Sequence, residues 1–221
     1  MLEHERHWTT AGVQRLAGVD EAGRGPLAGP VVAAAVSAPL DLLESLVAGA
    51  WRGLTDSKRL TDAKRRAFFV SITSTPGVLT GLGVCSPAEI DAMNILRATH
   101  LAMARAVADL PSAPDYLLVD GLPVKGLPVP HQAIVGGDGA SLLIAAASVI
   151  AKVTRDDQLL DLDRQFPPYG FADHKGYGTV RHLEALRRHG PCPAHRRSFA
   201  PVAQANLPFL STNTTSGDEH T

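Results

Sequence analysis

The stretch Leu16-Ala-Gly-Val-Asp20-Glu-Ala-Gly-Arg-Gly25-Pro-Leu-Ala-Gly-Pro30-Val-Val-Ala-Ala-Ala35-Val36 decides how the rest of the chain is read. Residues 16–20 have the composition of a short strand. Residues 23–30 are a Gly/Pro connector. Residues 31–36 form a continuous apolar run of the length of a buried strand. Two acids, Asp20 and Glu21, close the first strand just before the glycines. The glycines do not make a dinucleotide-binding loop: the third comes one residue late, and a strand follows where that loop needs a helix.

Working outward, residues 60–72 have helical composition with basic residues to one side. Pro76-Gly77 marks a turn and residues 78–85 read as a third strand. Ser86 and Glu89 have capping-box spacing with Pro87 at the first helical position, which predicts one helix running to Leu110. Residues 116–120 predict a short buried strand ending at Gly121, and residues 131–135 another. Residues 141–162 predict a long helix, apolar in its first half, and residues 179–189 a final amphipathic helix closed by Gly190-Pro191. Strands first, then alternating helix and strand, predict a mixed sheet covered by helices. No internal repeat and no interdomain linker is visible.

Composition bounds the function. The 221 residues are 45 % hydrophobic and 19 % charged, enough for an ordinary folded core. Two cysteines, Cys85 and Cys192, exclude a disulfide scaffold and point to a reducing, cytoplasmic setting. The charged start of the chain is unlike a signal peptide, and no run reaches the roughly 18 apolar residues of a membrane span. The net charge of −1 is not that of a typical nucleic-acid binder. Its distribution is uneven, however. Arg52, Lys58, Arg59, Lys64, Arg65 and Arg66 cluster against Asp56 and Asp62, and Lys175, Arg181, Arg187, Arg188, Arg196 and Arg197 against Asp173 and Glu184. By composition alone these are solvated faces as readily as contacts to an anion. The mild charge and the lack of an apolar patch are those of a monomer.

The chemistry lies with acids at strand ends. Asp20-Glu21 closes one strand, Asp120 precedes Gly121 at the end of another, and Asp138 sits in Gly136-Gly-Asp-Gly139. Hard oxygen donors of this kind suit Mg²⁺ or Mn²⁺. Each acid also has an ordinary reading. Asp138 can cap the helix that begins near Ser141. Neighbouring strand residues face opposite sides, so Asp20 and Glu21 share a site only if the chain turns at Glu21. Cys192-Pro-Ala-His195 has ligand spacing but lacks the second pair of a zinc site.

Seven segments occur in an order that resembles the type 2 ribonuclease H family, and within it bacterial ribonuclease HII. They are the stretch from Gly18 to Ala33, Leu54-Thr-Asp-Ser-Lys58, Asn94-Ile-Leu96, Val119-Asp-Gly121, Ile144-Ala-Ala-Ala-Ser-Val-Ile-Ala-Lys-Val-Thr-Arg-Asp156, His174-Lys-Gly-Tyr-Gly-Thr179 and His195-Arg-Arg-Ser-Phe199. The resemblance covers about residues 16–202. It implies a ribonuclease H-like α/β fold: a five-stranded mixed sheet flanked by helices, with a helical C-terminal part. It implies an endonuclease that hydrolyses the RNA strand of RNA–DNA hybrids, and nicks duplex DNA 5′ of embedded ribonucleotides to leave 3′-hydroxyl and 5′-phosphate ends. The roles implied are ribonucleotide removal and replication primer removal.

By the same resemblance, Asp20, Glu21, Asp120 and Asp138 hold two Mg²⁺ or Mn²⁺ ions. Gly23, Arg24 and Gly25 read the ribose 2′-hydroxyl, and Tyr177 packs on the deoxyribose 3′ of it. Ser57, Lys58 and Lys175 contact phosphates, and the two basic segments clamp the duplex. The catalytic domain is expected over residues 1–203, followed by a disordered tail over 204–221. At the start of that tail, Gln204-Ala-Asn-Leu207-Pro-Phe209 fits the Gln-x-x-Leu-x-Phe pattern of peptides that dock on the bacterial sliding clamp. Packing of Leu207 and Phe209 on the domain is an equal alternative.

Overall fold

The computed structural model describes residues 1–205. Five strands, β1 (Leu16–Ala22), β2 (Val31–Ser37), β3 (Leu79–Cys85), β4 (Tyr116–Asp120) and β5 (His131–Ile134), form one sheet in the order β3-β2-β1-β4-β5. β1–β2 and β2–β3 are antiparallel; β1–β4 and β4–β5 are parallel. The expected five-stranded mixed sheet is therefore present. The helices are α1 (Glu3–Thr10), α2 (Leu40–Ala48), α3 (Asp62–Ser74), α4 (Pro87–Met93), α5 (Ile95–Ala108), α6 (Gly137–Ala140), α7 (Leu142–Gln165), α8 (Phe171–His174), α9 (Val180–His189) and α10 (Ala200–Ala205). A 3₁₀ turn at Pro167–Tyr169 links α7 to α8. No helix of the described residues is long and apolar enough to cross a membrane.

Strand alternation divides the core in two. One face carries Leu16, Ala34, Val36 and Leu118 against α7, with α2 and α3 alongside. The other carries Ala17, Val19, Ala33, Ala35, Leu117 and Val119 against α5. Residues 142–151 of α7 are buried all round, which explains why Ser148 is their one polar side chain. The helix lies close on β1 because Gly18 has no side chain: a Cβ there would collide with the backbone of Leu143 and Ile144.

The structure departs from the sequence expectations in three places. The helix predicted from Ser86 to Leu110 is two helices. Asn94, at φ 76°, ends α4, and its Oδ1 accepts the Arg97 amide at 3.1 Å to start α5. Its ψ of 162° completes a backbone conformation that residues with a side chain rarely adopt, so the break is held at a conformational cost. β1 continues two residues past Asp20, with Glu21 paired to Ala33, so the chain does not turn at Glu21. Finally, α1 forms where no apolar stripe announces it. Its Glu5 is 1 % exposed and accepts from Ser141 Oγ at 2.6 Å and the Leu143 amide at 3.0 Å. A carboxylate thus satisfies the first turn of α7, where the helix dipole favours negative charge. Trp8 stacks on Tyr116 at 3.9 Å and donates to Gln132 Oε1 at 2.8 Å.

The C-terminal part packs around Ala28, Leu159, Tyr169, Phe171 and Ala194. A buried histidine pair runs through it. The Cys192 amide donates to His195 Nδ1 at 3.1 Å. His195 Nε2 is then the N–H donor toward His182 Nε2, at 3.0 Å, and His182 Nδ1–H donates to the Tyr177 carbonyl at 2.8 Å. Only the neutral pair satisfies this chain, because protonating either ring sets two N–H groups face to face. Gln204 and Ala205, the first residues of the expected tail, close α10. Residues 206–221, including Leu207 and Phe209 of the clamp-like motif, lie outside the described residues.

Two outcomes follow from this packing. Gly18→Ala should cost about 3 kcal/mol by forcing α7 off β1, read as a lower urea midpoint with unchanged slope. Burial, then the facing His182, lowers the His195 pKa from 6.5 to about 4. The unfolded chain therefore binds the proton first. Stability from this group is fully present above pH 6.5 and falls as the pH drops toward 4, by up to about 3 kcal/mol. His195→Asn should flatten the pH dependence of the melting temperature in that window relative to the parent.

Candidate active site

The acids come together at one edge of the sheet. The parallel register sets Val19 opposite Val119, so Asp20 within β1 and Asp120 at the end of β4 lie side by side on adjacent strands. Asp20 is 4 % exposed. Its carboxylate accepts the Glu21 amide at 2.7 Å and a hydrogen bond from Ser148 of α7. Asp120 Oδ1 accepts the Gly137 amide at 2.7 Å, which ties the end of β4 to the α6 turn carrying Asp138. Glu21 leaves β1 on the face opposite Asp20, as strand alternation requires, yet still senses the Asp120 charge around the strand end.

The electrostatics are those of crowded negative charge. Burial, then Glu21 and Asp120, push the Asp20 pKa well above the usual carboxylate range. Burial raises Glu21 as well, against the opposing pull of Arg24, whose Nη1 lies 3.4 Å from Glu21 Oε1. Burial, then Asp120 and Asp56, raise Asp138. Burial alone would lower Lys58, but the summed attraction of Asp20, Asp56, Asp138 and Asp120 raises it.

This donor set fits a hard divalent cation. It consists of carboxylate oxygens that repel one another, and despite the nearby charge of Lys58 and Arg24 the Asp20, Glu21 and Asp138 pKa values stay raised. Among the described residues no three His, Cys, Asp or Glu side chains are already gathered into a ligand cage.

The glycine connector and the Lys175–Tyr177 turn meet beside the acids. The Leu27 amide donates to the Gly176 carbonyl at 2.8 Å. The half-exposed Tyr177 ring adjoins Gly25, 3.7 Å from where a Cβ would stand. Lys175, with positive φ, donates from Nζ to the Ala172 carbonyl at 2.7 Å. A cleft of about 740 Å³ opens from Glu21 and Asp120 past Arg24, Arg97, His100 and Lys125. His100 is lowered by burial and by the charges of Arg24 and Lys125, which make this side of the cleft positive.

Some expected contacts sit elsewhere. Ser57 is 2 % exposed, and its Oγ pairs with Ser148 Oγ at 2.8 Å. Its hydroxyl thus supports the residue that supports Asp20 and is not presented to a phosphate. Arg65 and Arg196, counted within the two basic segments, are turned inward. Arg65 donates to the carbonyls of Ser57 and Leu60, each at 2.8 Å. Sequence reasoning assigned no role to Ser148, Asp56 or Arg155, and counted Arg196 only among the clamping basic residues, although all lie inside the quoted motif segments.

Comparison with known proteins agrees with this arrangement. A sequence model described as Ribonuclease HII matches residues 17–202. A protein of that name from Geobacillus kaustophilus (strain HTA426) is 54 % identical over 204 residues, covering 92 % of this chain and 75 % of its own. Another from Paracidovorax citrulli (strain AAC00-1) is 54 % identical over 190 residues, covering 86 % and 76 %. Among solved structures, the ribonuclease H2 from Pyrococcus horikoshii OT3 superposes with a TM-score of 0.73 at 27 % identity, covering 86 % of this chain and 96 % of its own. The RNase HII of a PCNA:RNase HII complex from Archaeoglobus fulgidus superposes at 0.67 and 26 % identity, covering 83 % and 94 %. Bst-RNase HIII in complex with Mn²⁺ shares the fold at 0.68 and 18 % identity, covering 87 % and 69 %. With its five-stranded sheet, its strand-end acids and these matches along most of its length, the chain belongs to the ribonuclease HII family.

Proposed function

We propose that this metal-dependent endoribonuclease, which as a ribonuclease HII degrades the RNA of RNA–DNA hybrids, also nicks duplex DNA on the 5′ side of an embedded ribonucleotide. The observation that carries the reading is the meeting of two features at one sheet edge: crowded acids, and a glycine loop packed against the Tyr177 turn. Glycines let backbone groups approach a sugar edge closely. Locally, only the 2′-hydroxyl separates RNA from DNA.

In this reading Asp20, Glu21, Asp120 and Asp138 hold two divalent ions, Mg²⁺ or Mn²⁺. Bound there, the ions supply an acidified water for in-line attack and neutralise the departing 3′-oxygen. The remaining work belongs to the chain. Ser148 and the Glu21 amide fix the Asp20 carboxylate, and the Gly137 amide fixes Asp120. Lys58 offsets the acids where an anionic strand must approach them. Gly23, Arg24 and Gly25 face the ribose, Tyr177 packs on the next sugar, and Lys58 and Lys175 meet phosphates. The products are a 3′-hydroxyl and a 5′-phosphate. The Gln204-to-Phe209 motif belongs to the same proposal as a clamp-docking peptide, supported by its pattern and by the archaeal PCNA complex. A peptide of residues 200–221 that shows no binding to a bacterial clamp by calorimetry removes that part alone.

The deciding assay uses duplex DNA with one ribonucleotide, an all-DNA control and a long hybrid, in Mg²⁺ and in Mn²⁺. One nick 5′ of the ribonucleotide is expected. An intact ribonucleotide duplex beside a cleaved hybrid sinks the junction reading. Asp120→Asn should lower kcat by more than about two orders of magnitude. Its metal-free melting temperature should hold or rise, because one like charge leaves the cluster while the acceptor for the Gly137 amide remains. Lys58→Ala should raise KM and reduce the salt slope of binding by about 1.

A further inference from the structure

Two buried guanidiniums hold the glycine loop. Arg196 is 0 % exposed and Arg155 1 %. Arg196 donates from Nε to the Gly29 carbonyl at 2.9 Å, from Nη1 to that of Arg24 at 3.0 Å, and from Nη2 to those of Gly23 at 2.6 Å and Pro30 at 3.1 Å. Arg155 donates to the carbonyls of Pro30, Lys175 and Ala28 at 3.0, 3.1 and 3.1 Å. Neither forms an ion pair among the described residues. The Arg196 guanidinium also lies 5.2 Å over the Phe199 ring, and burying a charge without an acid is expensive. Burial, then Arg155, lower the Arg196 pKa to about 9. A hydrophobic residue would fill the space at less cost, so the guanidinium must do something for the loop that packing does not.

Peptide geometry says what that is. In a trans peptide the N–H points opposite the C=O of the preceding residue. With the Gly23 carbonyl drawn inward, the Arg24 N–H faces out. With the Arg24 carbonyl drawn inward, the Gly25 N–H faces out. Neither amide donates to a backbone carbonyl among the described residues. Gly23 itself, at φ +98°, leaves room for Arg155 that a Cβ would take.

We infer that Arg196 is a positioning residue for ribose recognition: it turns the Arg24 and Gly25 N–H groups outward as a preformed pair of donors for the ribose 2′-hydroxyl. This rests on the reading of the glycine loop given above. Arg155 serves as the contrast, since it braces the same loop without touching the Gly23 or Arg24 carbonyls.

The test is binding in an Asp120→Asn background with Mg²⁺, comparing duplex DNA with and without one ribonucleotide. The background protein should prefer the ribonucleotide duplex by about tenfold, as two hydrogen bonds allow. Adding Arg196→Lys should bring that preference close to one, with affinity for the all-DNA duplex held within about twofold, since phosphate contacts are untouched. Adding Arg155→Lys should lower the melting temperature and keep the preference. No preference in the background protein means the loop does not read the 2′-hydroxyl at all. A preference retained by a folded Arg196→Lys protein overturns the role of Arg196 while leaving the loop reading intact, and an equal loss on both duplexes overturns it too. If Arg196→Lys does not fold, amide exchange in the background protein decides. The Arg24 and Gly25 amides should exchange freely alone and be protected by the ribonucleotide duplex only; equal protection by both duplexes rejects the inference.

Discussion

The contact of α7 with β1 is the constraint on which the rest depends. It exists because Gly18 presents bare backbone to Leu143 and Ile144. From that contact outward, α7 supplies Ser148 to Asp20, Arg155 to the glycine loop and Leu159 to the C-terminal cluster. At roughly 1.5 Å per residue its 24 residues span about 36 Å. One unbroken helix therefore sets the distance between the acids and the loop beside Tyr177. The sheet provides the other reference, since parallel pairing of β1 with β4 leaves no freedom in how Asp20 and Asp120 stand to each other.

Charge is used in two opposite ways within this frame. At the sheet edge, negative groups are crowded with too little positive charge to satisfy them, which prepares a place for cations. Behind the glycine loop, positive groups are buried on carbonyl dipoles without an acid, which fixes backbone orientation. The first arrangement stores repulsion that a bound ion relieves. The second spends desolvation to hold a turn that glycine, by its freedom, would not hold alone.

The run lengths of residues 16–20, 31–36, 78–85, 116–120 and 131–135 predict a mixed sheet covered by helices, because short apolar runs report burial directly, while its five-stranded form comes from the family resemblance. The strand-end acids were visible for the same reason: a carboxylate at the end of an apolar run is conspicuous. What escaped the sequence involved partners far along the chain. Arg196 looks like any member of a basic segment until Gly23 and Arg24, more than 170 positions away, bring it their carbonyls. Ser57 reads as an exposed hydroxyl beside Lys58 until Ser148 covers it. The break at Asn94 depends on one residue's backbone angle, which an Ala-rich helical pattern overrides in any window average. α1 lacks an apolar face because the residue it buries is an acid.

That first helix has a consequence for how the chain is made. Glu5 finds Ser141 136 positions later, and Trp8 finds Gln132 124 positions later. Synthesis proceeds from the N-terminus at about 5–20 residues per second. The segment of residues 3–10 leaves the ribosome well before residues 132 and 141, and so is among the last of these elements to dock. It stays loose until the start of α7 emerges, and closes over that helix end only when most of the sheet can already exist. α1 then acts as a late latch, closing on the first turn of α7 and on Gln132 only after both exist.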